Sequence, residues 1–337
     1  MDVLGDMLPE VRPAIFMRTS LKRGKEGFML KYIGKRLLMI IPTFLLLTLL
    51  VYTILSLSPA DPALMRLGTT ATEEQIEEMH HEMGLDRPLL VRYGTYMWDL
   101  ITKGEMGESW VMQTNVKSEF IERLPNTLIL TGLALLLTIW VGIPAGIYAA
   151  VKQNTTGDRV TMILAMLLIS LPNFFLSLIC QIVFCLWLGW FPVTGAGSFA
   201  HFILPSIMLA ASRVAGQVRL TRSSMLDVLG QDYIRTASAK GCSKIRVICY
   251  HALRNGLLPV ITNIGNNVGG LVAGAVTVET IFAIPGIGSM LVNAVRTSDI
   301  PQVMGPIIFI SLLVCVVNLL VDILYAVIDP RVKLQYS

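Results

Sequence analysis

Residues Gln231–Pro259 read QDYIRTASAKGCSKIRVICYHALRNGLLP, a basic, partly amphipathic stretch between two strongly apolar ones. Its charge keeps it in water while its neighbours are apolar enough for lipid, so it marks one face of a membrane. Ile234, Ala237, Gly241, Ile245 and Ile248 recur at steps of three and four, which gives one apolar helical stripe. Arg235, Lys240, Lys244 and Arg246 lie on other faces. Gly241 can break the helix into two short ones. A short helix with small residues and a glycine bend has the shape to press into a groove on a soluble partner. The competing reading is a surface helix attracted to anionic lipid.

Working outward, 54% of the 337 residues are hydrophobic, only 15% are charged and the mean hydropathy is +0.65, which excludes an ordinary soluble globule. Apolar segments of about twenty residues read as membrane spans. Six are expected, near Leu37–Leu57, Thr127–Val151, Val160–Trp187, Phe202–Val218, Gly256–Val278 and Val303–Ile328. The fourth is interrupted by Arg213 and Gln217. An inside N-terminus places 20 of the 27 Lys and Arg on the cytoplasmic side, and puts 12 acidic residues in the loop after span one, outside. The expected fold class is therefore an all-α integral membrane protein with both termini cytoplasmic. The net charge of +4 indicates topology rather than nucleic-acid binding.

The decisive stretch resembles the cytoplasmic "EAA" loop of ABC-importer permeases, in the variant of the dipeptide/oligopeptide/nickel family, first-permease type. The residues that carry the likeness are Asp232 to Gly241, His251 to Asn255, and Leu258-Pro259. Arg235 takes the place of the motif's glutamate. The resemblance continues in Gly84-Leu85-Asp86-Arg87-Pro88, in Ser170-Leu171-Pro172-Asn173-Phe174, in Pro285-Gly286-Ile287-Gly288 and in Asp299-Ile300-Pro301. It implies a type I ABC importer permease fold with a coupling helix between helices 4 and 5. The residues it assigns to ATPase coupling are Asp232, Tyr233, Ile234, Arg235, Ala237, Lys240, Gly241 and Ile245.

The expected organisation is an N-terminal extension at 1–28, a first span at 29–57, an extracytoplasmic loop at 58–125, a permease core at 126–330 and a tail at 331–337. The coupling loop occupies 223–255. Residues 1–28 are polar and unpatterned, and Lys25-Glu26-Gly27 is what an in-frame ribosome-binding sequence would encode before Met29, so Met29 is the expected natural start. In the extracytoplasmic loop, Thr72-Glu73-Glu74-Gln75 begins a helix and the run from Gly84 to Leu89 ends it. Tyr93, Tyr96, Met97, Trp98, Leu100 and Ile101 form a second, interfacial stretch. Glu279 to Gly288 reads as a short hairpin on the outer surface.

Candidate pathway residues are Ser170, beside the Pro172 break, and Asn263, Asn266 and Asn267. The asparagines are too polar for lipid, and Gly265, Gly269, Gly270 and Gly274 give their span a smooth surface. They either line the route or hydrogen-bond helices together. Asp322, one turn from Asn318, reads as a structural pair. His80 and His81 point about 100° apart on a helix and read as solvated surface rather than a metal cluster.

No Gly-x-x-x-x-Gly-Lys-[Ser/Thr] occurs, so the chain carries no phosphate-cradling loop of its own. The reading is a non-enzymatic transport subunit with no cofactor of its own. Its expected partners are a second homologous permease, two subunits that bind ATP and Mg, and an extracytoplasmic solute-binding protein in the bacterial or archaeal plasma membrane. Short peptides are the expected substrate, with nickel or glutathione as alternatives. An ion-coupled secondary carrier is the alternative class, for which inverted repeats and buried coupling charges would be needed.

Overall fold

The computed structural model describes residue 34 and residues 38–58, 60–68 and 70–328, excluding the side chains of residues 322 and 324–328. The expectations for residues 1–28, Met29, Pro59, the Asp322 side chain and the 331–337 tail lie outside the described residues. Two compact units part between Leu47 and Thr48. The described residues are mostly helical, with one isolated antiparallel bridge between Glu108 and Asn115.

Helix α1 runs Leu38–Ser56 and exposes Leu46, Leu50 and Ile54, as a helix in lipid does. Three short helices follow: α2 (Pro62–Leu67), α3 (Glu73–Glu82) and α4 (Leu89–Lys103). Helix α3 begins after Thr72 and ends before Gly84, as the sequence reading has it; α2 is additional to that reading. Thr72 closes a capping box with Gln75, accepting from its backbone N–H while the Gln75 side chain accepts from the Thr72 N–H. Asp61 caps α2 and also holds His80, whose Nε2 lies 2.9 Å from both carboxylate oxygens. His80 is thus tied to a partner 19 positions away, which no local pattern announces.

Helices α5 (Val116–Leu137) and α6 (Ile143–Val151) join through a π-helical turn, Thr138–Gly142, into one membrane-length helix. Helices α7 (Thr156–Ser170) and α8 (Asn173–Cys180, continued as a π-helical stretch Gln181–Trp187) meet at a 100° bend. The sequence predicts a kink at Pro172; the chain instead turns a corner there, because the residue before proline leaves the helical region and Leu171 is extended.

Helix α9 (Ala200–Leu229) touches α5, α6, α7 and α8. It approaches α6 closely at Gly146, where a Cβ would come within 2.5 Å of Thr221 Cβ and 2.7 Å of the Val218 carbonyl oxygen. Arg222 on α9 grips Asp158 on α7 with both ends of its fork, at 2.6 and 2.8 Å. Two short helices, α10 (Asp232–Ala239) and α11 (Lys244–Arg246), lead through a π-helical stretch Val247–Ala252 into α12 (Leu253–Gly256). Helices α13 (Leu258–Ile281), α14 (Ile287–Arg296) and α15 (Ile300–Ile328) complete the chain.

Among the described residues, three helices are long and apolar enough to cross a membrane (Leu38–Ser56, Val116–Val151, Ile300–Val321), and the bent α7–α8 pair makes a fourth if it is one span. The other two expected spans are α9 and α13. Their 30 and 24 residues suffice in length, but arginines and a glutamine in α9, and asparagines and glycines in α13, dilute their hydropathy. Both contribute to the core formed by Leu130, Phe202, Met208, Leu209, Leu271, Val278 and Phe282.

The segment after α13 differs from the expected surface hairpin. Glu279, Ile284, Ile287 and Met290 are buried there. Thr127 of α5 donates to Glu279 Oε1 at 2.6 Å, the Ser289 N–H donates to Oε2 at 3.0 Å, and the Ile287 N–H donates to the Thr127 hydroxyl at 2.8 Å. A buried carboxylate persists because its oxygens are hydrogen-bonded. Asp299 plays the same part before α15: it accepts from the Ser109 hydroxyl, from the Val111 N–H at 3.2 Å and from the Gln302 N–H at 3.2 Å.

Candidate functional site: a polar wall and a basic turn

The two groups of residues singled out in the sequence occupy two regions, one along α9 and α13 and one at the α10–α11 turn.

From Asn266 onward the exposed positions of α13, Asn266, Ala273, Thr277 and Thr280, fall on one face, being seven, four and three residues apart. The stripe is small and polar. The exposed faces of α7 and α8 carry Ile163, Leu164, Leu167, Phe174, Phe175 and Ile179 instead. A face of the second kind suits lipid, and one of the first kind suits protein or water. Helix α9 continues the polar character: Ser212 and Gly216 are half-buried and Arg219 and Ser223 exposed along its open side.

The asparagines divide between two tasks. Asn263 donates from Nδ2 to Gln217 Oε1 at 3.0 Å, and Asn267 accepts from Arg213 Nη1 at 3.0 Å. On each helix the two residues stand four apart, so the contacts form successive rungs between α9 and α13. Asn266 is exposed on the open stripe. Ser170 is exposed at the end of α7, where its hydroxyl donates to the Met166 carbonyl at 2.8 Å, away from this wall in sequence and in bonding.

The glycines of α13 do not form the smooth surface expected of them. Gly265 and Gly269 receive Val321 and Val314 of α15, Gly270 receives the Arg213 guanidinium, and Gly274 receives Leu209. They let α13 pack closely on both neighbours. Arg213 and Gln217, which read in the sequence as an interruption of span four, are the partners of the asparagines. Matching i, i+4 polar pairs on two apolar helices is the signal that could have found this seam.

At the α10–α11 turn, Gly241 has φ +81°, in the left-handed region that glycine enters without strain, and the two helices diverge from it. The expected single apolar stripe is divided by this turn. Ile234 and Ala237 are buried, and with Val247 and Ala252 they join Met225 of α9 and Ala150 of α6. Ile245 is 75% exposed, and Tyr233, Arg235, Lys240 and Gly241 are exposed as well. Asp232 is exposed 3.9 Å from Arg235, a solvated pair. The eight residues therefore split into an inward anchor, Ile234 and Ala237, and an outward surface made by the other six. A cavity of about 420 Å³ lies beneath the turn, lined in part by Val151, Leu229, Cys242, Lys244 and Ile248. A second cavity of about 530 Å³ lies at the opposite ends of α5, α14 and α15, with Glu119, Glu122, Arg123, Asn126, Asn293 and Gln302 in its lining.

Residues 142–334 match the family described as binding-protein-dependent transport system inner membrane component, and residues 29–131 match its N-terminal membrane component. The chain is 40% identical over 307 residues to a protein of Brucella abortus (strain 2308) named as a peptide transport system permease, covering 89% of this chain and 98% of that one. It is also 40% identical over 305 residues to a glutathione transport system permease of Salmonella typhi, covering 90% and 99%. Among solved structures, an inward-facing methionine ABC transporter overlays with a TM-score of 0.54 at 14% identity, over 62% of this chain and 96% of that one, a likeness of fold. With a family match across more than half of the chain and relatives this similar along nearly their whole length, the chain belongs to the binding-protein-dependent inner membrane components, the permease subunits of ABC importers.

Proposed function

We propose that this chain forms half of the translocation route of an importer for short peptides and couples it to a separate ATPase through the α10–α11 turn. The observation that carries this reading is the small, polar stripe from Asn266 to Thr280 on α13, beside the open face of α9. A peptide brings its own donors and acceptors, so a route that bound it tightly would trap it; a weakly polar wall lets it pass. With six spans and both termini cytoplasmic, the basic turn lies in the cytoplasm, where a partner ATPase is available, and the 530 Å³ cavity lies on the side of the solute-binding protein.

In this reading a second homologous permease supplies the facing wall, and two ATPase subunits bind ATP and Mg. The outward residues Tyr233, Arg235, Lys240, Gly241 and Ile245 meet a cleft in one ATPase, while Ile234 and Ala237 transmit its movement to α9 and α6. Peptides are supported as the substrate by relatives named for peptide and glutathione transport, glutathione itself being a tripeptide. The test is uptake of labelled dipeptides, tripeptides, glutathione and nickel by cells with and without this chain. The expected result is loss of energy-dependent peptide uptake alone. Loss confined to nickel would replace the substrate assignment, and peptide uptake that follows an ion gradient without the ATPase subunits would replace the class.

A further inference from the structure

Arg213 stands near the middle of the 30-residue helix α9, half-buried and five residues before the inner end of the expected span Phe202–Val218, so it places a cation at the inner part of that span. Of the half-buried arginines on the core helices α5 and α9, Arg222 holds Asp158 and Arg123 holds Glu119 at 2.7 Å. Among the described residues Arg213 has no carboxylate within ion-pair distance, and its one hydrogen bond goes from Nη1 to the neutral Asn267. A guanidinium carries five N–H donors, so most of its capacity is unused. Its Nη2 lies over Gly270, where a Cβ would come within 2.5 Å. Gly270 falls between Asn266 and Ala273 on the open stripe, so the space it leaves brings the cation to the edge of the wall.

A cation in this position calls for an anionic partner, and the wall is where one would pass. We infer that Arg213 receives the carboxylate of the substrate during passage and so favours peptides with a free C-terminus. This inference rests on the importer reading above. Asn267 is a positioning residue: it holds the guanidinium by one N–H and leaves the rest of the fork for a second, bidentate contact.

The test compares uptake of a labelled tripeptide with uptake of its C-terminal amide, in the complete importer with one and the same binding protein, so that the binding protein's own preference cancels between variants. Arg213→Gln is expected to lower free-acid uptake by about tenfold, the scale of one charge-assisted contact, and to change amide uptake by less than about twofold. Arg213→Lys keeps a charge and should retain part of the preference. Asn267→Asp leaves the arginine in place but supplies a carboxylate beside it, and should abolish the preference in the same way. Failure of the unaltered importer to take up either form refutes the importer reading. Normal uptake with both forms lowered equally, or neither lowered, by Arg213→Gln overturns the inference and leaves that reading intact. Loss of assembly in both Arg213→Gln and Asn267→Asp makes Arg213 a structural residue, which also overturns it.

Discussion

Asn255 donates from Nδ2 to the Tyr233 hydroxyl at 2.9 Å, across 22 positions of sequence. The contact joins the start of α10 to α12, the two ends of the basic stretch, and closes it into a loop held at its base. Together with the buried Ile234, Ala237, Val247 and Ala252, it makes the turn one body with the ends of α6 and α9. A loop closed at its base transmits a push; an open one absorbs it. Tyr233→Phe keeps the ring and removes only the hydroxyl. The expected outcome is normal membrane abundance with fewer peptides carried per ATP hydrolysed, measured in proteoliposomes containing the whole importer. An unchanged ratio would mean that packing alone holds the loop.

Gly241 permits a sharper test, because strain and obstruction can be separated there. Its φ of +81° costs an L-residue about 1–2 kcal/mol, and no atom lies within 4 Å of where a Cβ would stand. Gly241→Ala therefore adds the backbone cost with little bulk, and Gly241→Trp adds bulk on the outward side. The docking account predicts a modest effect for Ala and near-complete loss of uptake for Trp, with the chain still in the membrane and ATPase activity no longer responsive to loaded binding protein. Equal effects of the two substitutions would assign the loss to backbone strain.

The α6–α9 contact at Gly146 carries a stability prediction. Gly146→Ala places a methyl group 2.5 Å from Thr221 Cβ and against the Val218 carbonyl, and overpacking of this kind costs about 1–3 kcal/mol. Gly132→Ala, with open space around it, should cost nothing or stabilise slightly. Thermal unfolding of the detergent-solubilised importer should distinguish the two. A fall of the same size in both would point to a general intolerance of α5–α6 rather than to this contact.

Much of the architecture was legible because it is local. The capping box at Thr72, the break at Pro172 and the bend at Gly241 each depend on residues within a few positions of one another, and all three are present. Features set by distant partners were not legible. Glu279 reads as a surface carboxylate because its partner Thr127 lies 152 positions away, and nothing local indicates that the Thr127 hydroxyl and the Ser289 N–H will both donate to it. Hydropathy counts Arg213 and Gln217 against a span, whereas their acceptors and donors wait on α13. The apolar stripe through Ile234 and Ile245 takes both as one face, whereas after the left-handed turn at Gly241 Ile245 points outward while Ile248 packs back on the cluster of Ile234 and Ala237.

The most direct test of the central claim, that the α13 stripe lines a route gated by the ATPases, is thiol labelling at Asn266. The five native cysteines, Cys180, Cys185, Cys242, Cys249 and Cys315, are replaced first. Asn266→Cys and Asn263→Cys are then exposed to a water-soluble thiol reagent in the assembled importer, with and without trapped nucleotide. Asn266→Cys should react, and its rate should change by several-fold when nucleotide is trapped, while Asn263→Cys, at the seam with Gln217, should react far more slowly. If Asn266→Cys stays unlabelled in every nucleotide state while the complex remains assembled and active, the stripe is a packing surface and the route lies elsewhere.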